Sequence, residues 1–372
     1  MQELQDAPLA PLTTLRLGGP ARRLVTATTD DEVVDTVRAA DAVGEPLLVI
    51  GGGSNLVIGD KGFDGTALRI ATTGLTWQGS TVDVAAGEVW ADLVSTTVLD
   101  HGLAGIEFLA GIPGSVGVTP VQNVGAYGAE VAGLITQVTA YDRLRRETVA
   151  LGNAECGFSY RDSVFKAQPD RFVVLRVSFA LENADGRSTP VRYAEVARSL
   201  GVAQGERTDL RTARETVLAL RAGKGMVLDP EDHDTWSAGS FFTNPVLDPA
   251  EHAAFLTRVR DRLGPQAEPP VYPAAGGYSK TTAAWLIDQA GFGKGHGSGP
   301  ARLSGKHTLA LTNRGRATTE DLLALAREVR DGVEAAFGVT LVNEPVLVGV
   351  DLLVTSQPSR TLAEPLAHQP AL

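Results

Sequence analysis

Cysteine is almost absent from this chain of 372 residues, where Cys156 stands alone. A single thiol permits no intrachain disulfide, which fits a reducing compartment, and it excludes a cysteine-cluster metal site. The six histidines (101, 233, 252, 296, 307 and 368) show no H-x-x-x-H spacing, so a histidine-based metal site has no support either. Positive charge is in the minority. With 33 Lys and Arg against 44 Asp and Glu, the net charge is −11, the opposite of a nucleic-acid footprint. A local cluster of cations for a small anionic ligand stays possible. No apolar run approaches membrane-spanning length, and the N-terminus lacks a basic segment followed by an apolar one. A cytoplasmic protein without membrane insertion is expected, and we expect a monomer. Several nucleotide and hydrolase signatures are missing as well. There is no G-x-G-x-x-G dinucleotide fingerprint, no G-x-x-x-x-G-K-[ST] P-loop and no G-x-S-x-G nucleophile elbow.

What the chain does have is glycine placed among apolar residues. Residues 111–128 carry five glycines and two prolines, which rule out an ordinary helix or central strand. Ile112, Val116, Val118, Val121, Val124 and Tyr127 are nonetheless apolar, which suits a backbone wrapped closely against a ligand. A second such loop, Gly51-Gly52-Gly53-Ser54-Asn55, follows the strand-like run Pro46–Ile50. Successive backbone N–H groups in a turn of this kind can converge on an anion, although a plain turn reads equally well.

Along the chain, residues 1–13 read as a loose lead-in and Thr14–Leu17 as a short strand. Thr29 and Glu32 read as a capping box opening a helix that buries Val33, Val34, Val37 and Ala40. Strands are expected at 82–86, within 133–150, at 172–181 and at 307–312, and helices at 89–101, 208–222 and 280–290. Asp248-Pro249-Ala250-Glu251 combines an N-cap, an N1 proline and an N3 glutamate. A long helix at 319–337 stops at Gly338. Residues 339–350 then read as a final strand, and 353–372 as a disordered tail.

Three polar positions are candidates for chemistry. Arg161 lies in the charged cluster Tyr160–Lys166, and alone it reads as a surface arginine. Ser240 sits between Gly239 and two phenylalanines, as a turn residue or a functional hydroxyl. Glu344 falls in an apolar run, so it must be paired, exposed at an edge or functional. Cys156 reads as a small buried residue.

Taken in order, Gly51–Asn55, the 111–128 loop, Tyr160-Arg161-Asp162-Ser163, Gly239-Ser240-Phe241-Phe242-x-Asn244-Pro245 and Glu344 resemble the UDP-N-acetylenolpyruvoylglucosamine reductase (MurB) family over residues 11–350. The first two motifs belong to the wider vanillyl-alcohol-oxidase-like FAD fold, and the later three are specific to the reductase. Another FAD-linked oxidase or dehydrogenase of that superfamily is the alternative. It should lack the Gly-Ser-Phe-Phe motif.

The resemblance implies a three-domain α+β fold. Residues 11–71 with 339–352 would form one FAD-binding subdomain, 72–224 a second, and 225–338 the UDP-sugar domain. Non-covalent FAD would contact Gly51, Gly52, Gly53, Ser54, Asn55, Leu56, Gly111, Ile112, Pro113, Gly114, Ser115, Gly117, Asn123, Gly125 and Ala126. NADPH would be the hydride donor. The implied catalytic residues are Ser240 as proton donor, with Arg161 and Glu344 around the enolpyruvyl group. Lys224, Asn244, Tyr272 and Tyr193 would bind the substrate, Tyr193 from a mobile loop that closes in the longer form of the enzyme. Val342-Asn343-Glu344-Pro345-Val346 departs from the Glu-x-Glu-Val-Arg of many relatives by lacking the first acid and the arginine.

Overall fold

The computed structural model describes residues 1–353, so the tail expected to be disordered, 353–372, lies outside the described residues except for Leu353. The chain opens with a four-stranded sheet in the order Gln2–Pro8, Pro20–Ala27, Phe63–Ile70, Leu47–Ile50. The first pair is antiparallel and the other two are parallel. The helix Asp30–Val43 crosses over between Pro20–Ala27 and Leu47–Ile50. Thr29 accepts from the N–H of Glu32, but the Glu32 carboxylate returns to the N–H of Thr28 rather than Thr29. The expected capping box is therefore half formed.

Two expectations for this region need correction. Residues 2–8 form an edge strand rather than a loose lead-in. Only Ala7 of that strand is buried, so no apolar alternation announces it; backbone pairing and the Glu3–Arg23 ion pair hold it to the next strand. Thr14–Leu17 is not a strand; Leu15 and Leu17 are buried plugs in irregular chain, and Arg16 has a left-handed φ of 55°.

A five-stranded antiparallel sheet follows, in the order Glu147–Gly152, Ile135–Asp142, Phe172–Ala180, Thr81–Ala85, Leu75–Gln78. Trp90–Ser95 is α-helical and continues as a wider π turn over Thr96–Asp100. One apolar core runs from Val25 and Val33 through Trp90, Tyr141 and Phe179 to Val217. The two N-terminal portions thus share it. Cys156 is buried within it, and burial pushes its thiol up to about 11.

The C-terminal portion packs the helices Pro249–Leu263, Ala283–Gln289 and Thr319–Phe337 against short strands. Asp248 caps Pro249–Leu263 with a complete capping box, and Thr318 does the same for Thr319–Phe337, which ends at Gly338. Leu322, Val329 and Val333 line the buried face of that helix, and Leu15, Leu17 and Val57 of the N-terminal portion join its core. The expected final strand shrinks to Val346–Val348, paired in parallel with Leu56–Ile58. Glu344 is therefore not inside a strand. Pro345 has no N–H for a ladder, so pairing begins only beyond it.

Candidate active site

The two glycine loops meet backbone to backbone. A Cβ on Gly52 would fall within the backbone of Gly114, and one on Gly51 would strike Ser115 Oγ. Gly53 has φ +60° and presses against the Leu12 carbonyl. Ser54 Oγ donates to the Pro113 carbonyl at 3.0 Å, fastening the loops together. Two features there call for a ligand. Ser115 Oγ is buried without a hydrogen-bond partner. Among the described residues, the N–H groups of Gly52, Gly53, Ser54 and Asn55 donate to no group of the chain. Free N–H groups beside an orphaned hydroxyl are the donor set an anionic group such as a pyrophosphate requires.

Ser240 and Glu344 are brought together by main-chain pairing. The Glu344 N–H donates to the Phe241 carbonyl at 2.8 Å, and the Thr243 N–H donates to the Val342 carbonyl at 2.9 Å. Phe241 and Phe242 are each 1% exposed and meet edge to face at 5.1 Å. Each ring contributes about 1.5–3 kcal/mol by burial and anchors the turn. Ser240 is left at the surface of that anchor, and its hydroxyl bonds to no group among the described residues.

Glu344 faces Arg161, with Oε1 3.6 Å from Nε. Gln122 Nε2 approaches the same carboxylate at 3.5 Å, and Asn55 Nδ2 bridges the Gln122 side chain (3.1 Å) and the Glu344 carbonyl (3.4 Å). Burial pushes the Glu344 carboxyl above its ordinary range, and the nearby cations Arg161 and Lys166 offset this only in part. Glu107 is a useful contrast. Fully buried, it accepts from the Gly105 N–H, the Thr189 N–H and the Thr189 hydroxyl at 2.6–2.7 Å. Glu107 is a satisfied structural carboxylate, whereas Glu344 is held by two long contacts.

Arg161 has a left-handed φ of 54°. Its Nη2 donates to the Gly125 carbonyl at 2.8 Å and its Nη1 to the Asn123 carbonyl at 3.4 Å, so the 111–128 loop aims the guanidinium. The Asn123 side chain is fully engaged within the protein. It donates to Glu130 and the Ser159 carbonyl and accepts from the Ala132 N–H.

Lys224 and Tyr193 form a second group. Lys224 Nζ pairs with Glu195 at 2.6 Å and stands 5.6 Å over the Tyr127 ring, which meets Tyr193 edge to face at 5.5 Å. The loop before Tyr193 is tied down by Glu107 at Thr189 and by the Val191 N–H to the Glu206 carbonyl. Asn244 accepts the Ala283 N–H at 3.0 Å. Tyr272 stands apart, 52% exposed, directly opposite Lys280 on the neighbouring strand. Opposite residues share a face, and Lys280 reaches the Tyr160 ring at 4.7 Å, the ring over which Arg161 also lies.

Gln122, Glu195 and Lys280 were not among the candidates from sequence. Gln122 could have been noticed, since it and Asn123 are the two amides inside a glycine loop that is mostly apolar. Glu195 and Lys280 carry no sequence signal.

Residues 229–348 match the family model described as UDP-N-acetylenolpyruvoylglucosamine reductase, C-terminal domain. Residues 21–144 match that of an FAD binding domain. The UDP-N-acetylenolpyruvoylglucosamine reductase of Streptomyces avermitilis is 72% identical over 352 residues, covering 95% of this chain and 96% of its own. That of Mycobacterium avium is 52% identical over 364 residues, covering 93% and 95%. Among solved structures, the corresponding reductase of Thermus caldophilus superposes with a TM-score of 0.61 at 25% identity, over 93% of this chain and 98% of its own. The 6-hydroxy-D-nicotine oxidase of Arthrobacter nicotinovorans, at 18% identity and a TM-score of 0.51 over 92% and 88%, shares the fold.

Proposed function

Because the chain belongs to the UDP-N-acetylenolpyruvoylglucosamine reductase family, we propose that it reduces the enolpyruvyl ether of UDP-N-acetylglucosamine to the lactyl ether, UDP-N-acetylmuramate. The reaction serves peptidoglycan precursor synthesis in the cytoplasm, with FAD held non-covalently and NADPH as reductant. The observation that carries this reading is the convergence of Ser240, Arg161 and Glu344 beside the two glycine loops.

Residues 51–55 and 111–117 would hold the cofactor, its pyrophosphate against the free N–H groups and Ser115 Oγ. The 51–55 turn has serine and asparagine but no histidine to form a covalent link. When bound, FAD supplies a hydride taken from NADPH to the methylene carbon of the enolpyruvyl group. Negative charge then builds on the substrate carboxylate, and the Arg161 guanidinium, fixed on the Gly125 carbonyl, is aimed to stabilise it. Ser240 Oγ delivers the proton to the carbon that bears the carboxylate. A serine is a poor acid in water, so its developing alkoxide needs Arg161 nearby. Glu344 holds Arg161 from the other side, and a carboxyl raised by burial is a second place where a proton can reside. Lys224, Asn244, Tyr193 and Tyr272 bind the UDP-sugar.

The test separates the two half-reactions. In Ser240→Ala, NADPH should bleach the flavin at near wild-type speed. Reoxidation by the enolpyruvyl substrate should slow at least about 10²-fold, the low end for losing a positioned acid. Equal slowing of both steps would show that Ser240 only supports the turn.

A further inference from the structure

The surroundings of Lys224 are cationic in a protein of net charge −11. Arg221, one turn earlier on the helix Leu210–Gly223, is partly buried, with Nη2 on the Met226 carbonyl and a buried Nε left unpartnered. His307 lies within the field of Lys224 and Lys294, and burial together with these two cations pushes its ring down to about 4. The carboxylate that opposes this field is Glu195, whose Oε2 is 2.6 Å from Lys224 Nζ. Glu195 sits on the helix Ala194–Leu200, two residues after Tyr193, and the Tyr193 ring rests on Tyr127 beneath the same ammonium. Tyr127, Tyr193, Glu195 and Lys224 therefore make one closed cluster. An anionic ligand that uses Lys224 therefore competes with Glu195 for the ammonium.

We propose that Glu195 is a built-in competitor for the substrate diphosphate, displaced from Lys224 on binding, and that this exchange uncouples the helix carrying Tyr193 from the lysine. Glu195 is thus a positioning residue that acts through Lys224 and sets the affinity of the anion subsite. The inference rests on the reading of Lys224 as a substrate-binding residue.

Titration calorimetry with UDP on the flavin-loaded protein tests it, comparing wild type, Glu195→Gln, Lys224→Ala and the double variant. Glu195→Gln should tighten UDP binding by about two- to five-fold at low salt, the range for losing a half-exposed competing ion pair. That gain should shrink as ionic strength rises. It should vanish in the Lys224→Ala background, which a merely structural role of Glu195 would not produce. Glu195→Asp keeps the charge with a shorter reach and should fall between wild type and Glu195→Gln; it also serves if the glutamine variant does not fold. Unchanged or weaker UDP binding in Glu195→Gln, with Lys224→Ala still losing affinity, overturns the competitor and leaves the proposed function standing. UDP binding undiminished by Lys224→Ala overturns the role of Lys224 as well.

Discussion

The groove between residues 51–55 and 111–117 and the cleft around Lys224 would serve one reaction, yet they are built from different materials. The groove is made of backbone. Glycine approaches glycine, and its free groups are N–H donors that no substitution can retune. The cleft is made of half-exposed side chains, with Lys224 and Glu195 each 35% accessible and Tyr193 46%. A backbone site fails through sterics, all at once, because packed atoms do not yield. A side-chain site fails by degrees, since each contact in a partly wet environment contributes little. Arg161 and Glu344 lie between these extremes, charged like the cleft but 26% and 17% exposed, with Arg161 aimed by loop carbonyls.

The sharpest way to break this contrast is Gly52→Val. Its side chain would collide with the backbone of Gly114, so the protein should purify without flavin and with all reductase activity lost. Absorbance of flavin per polypeptide is the measurement. A stoichiometric flavin content in this variant would refute the backbone account of the groove.

Glu344→Gln is next, and it should act in opposite directions on activity and stability. Reduction of the enolpyruvyl substrate should fall by about 10²–10⁴-fold. Stability follows from the sign of the shift. The folded carboxyl sits above its ordinary value of 4.5, so the native state binds the proton more tightly than the unfolded chain. Stability from this group is greatest below 4.5 and is lost as pH rises through the raised value. At pH 8 the wild type carries a buried charge that the variant lacks. Glu344→Gln should therefore melt higher than wild type at pH 8, and the difference should disappear near pH 4. A lower melting temperature at pH 8 would mean that the pairing with Arg161 outweighs desolvation.

Tyr193→Phe should have the smallest effect. Its edge contact with Tyr127 is kept by phenylalanine, and the hydroxyl makes no bond within the described residues. KM for the UDP-sugar should rise a few-fold, with melting temperature and flavin content unchanged. A large loss of stability would move Tyr193 from the cleft to the scaffold.

What could be seen in advance follows the range of each interaction. The helix Thr319–Phe337 was legible because its apolar stripe and its terminal Gly338 lie within one short stretch. The same holds for Asp248-Pro249-Glu251. The edge strand Gln2–Pro8 was not legible, since its backbone pairing and its Glu3–Arg23 ion pair both depend on a strand not yet reached. Glu344 was singled out for the wrong local reason, a strand that does not form there. Its actual neighbours, Gln122 and the backbone of Phe241, come from distant parts of the chain, Gln122 lying 222 positions away.

By itself the sequence determined the family, the glycine loops and the polar residues set into apolar surroundings, because sterics and capping act over a few residues. Only the tertiary structure decided that Arg161 meets Glu344, that Asn55 and Gln122 bridge to it, and that Lys224 is held by Glu195. Coulombic and hydrogen-bond partners are chosen by distance in space, and distance in space is set by how the cores pack.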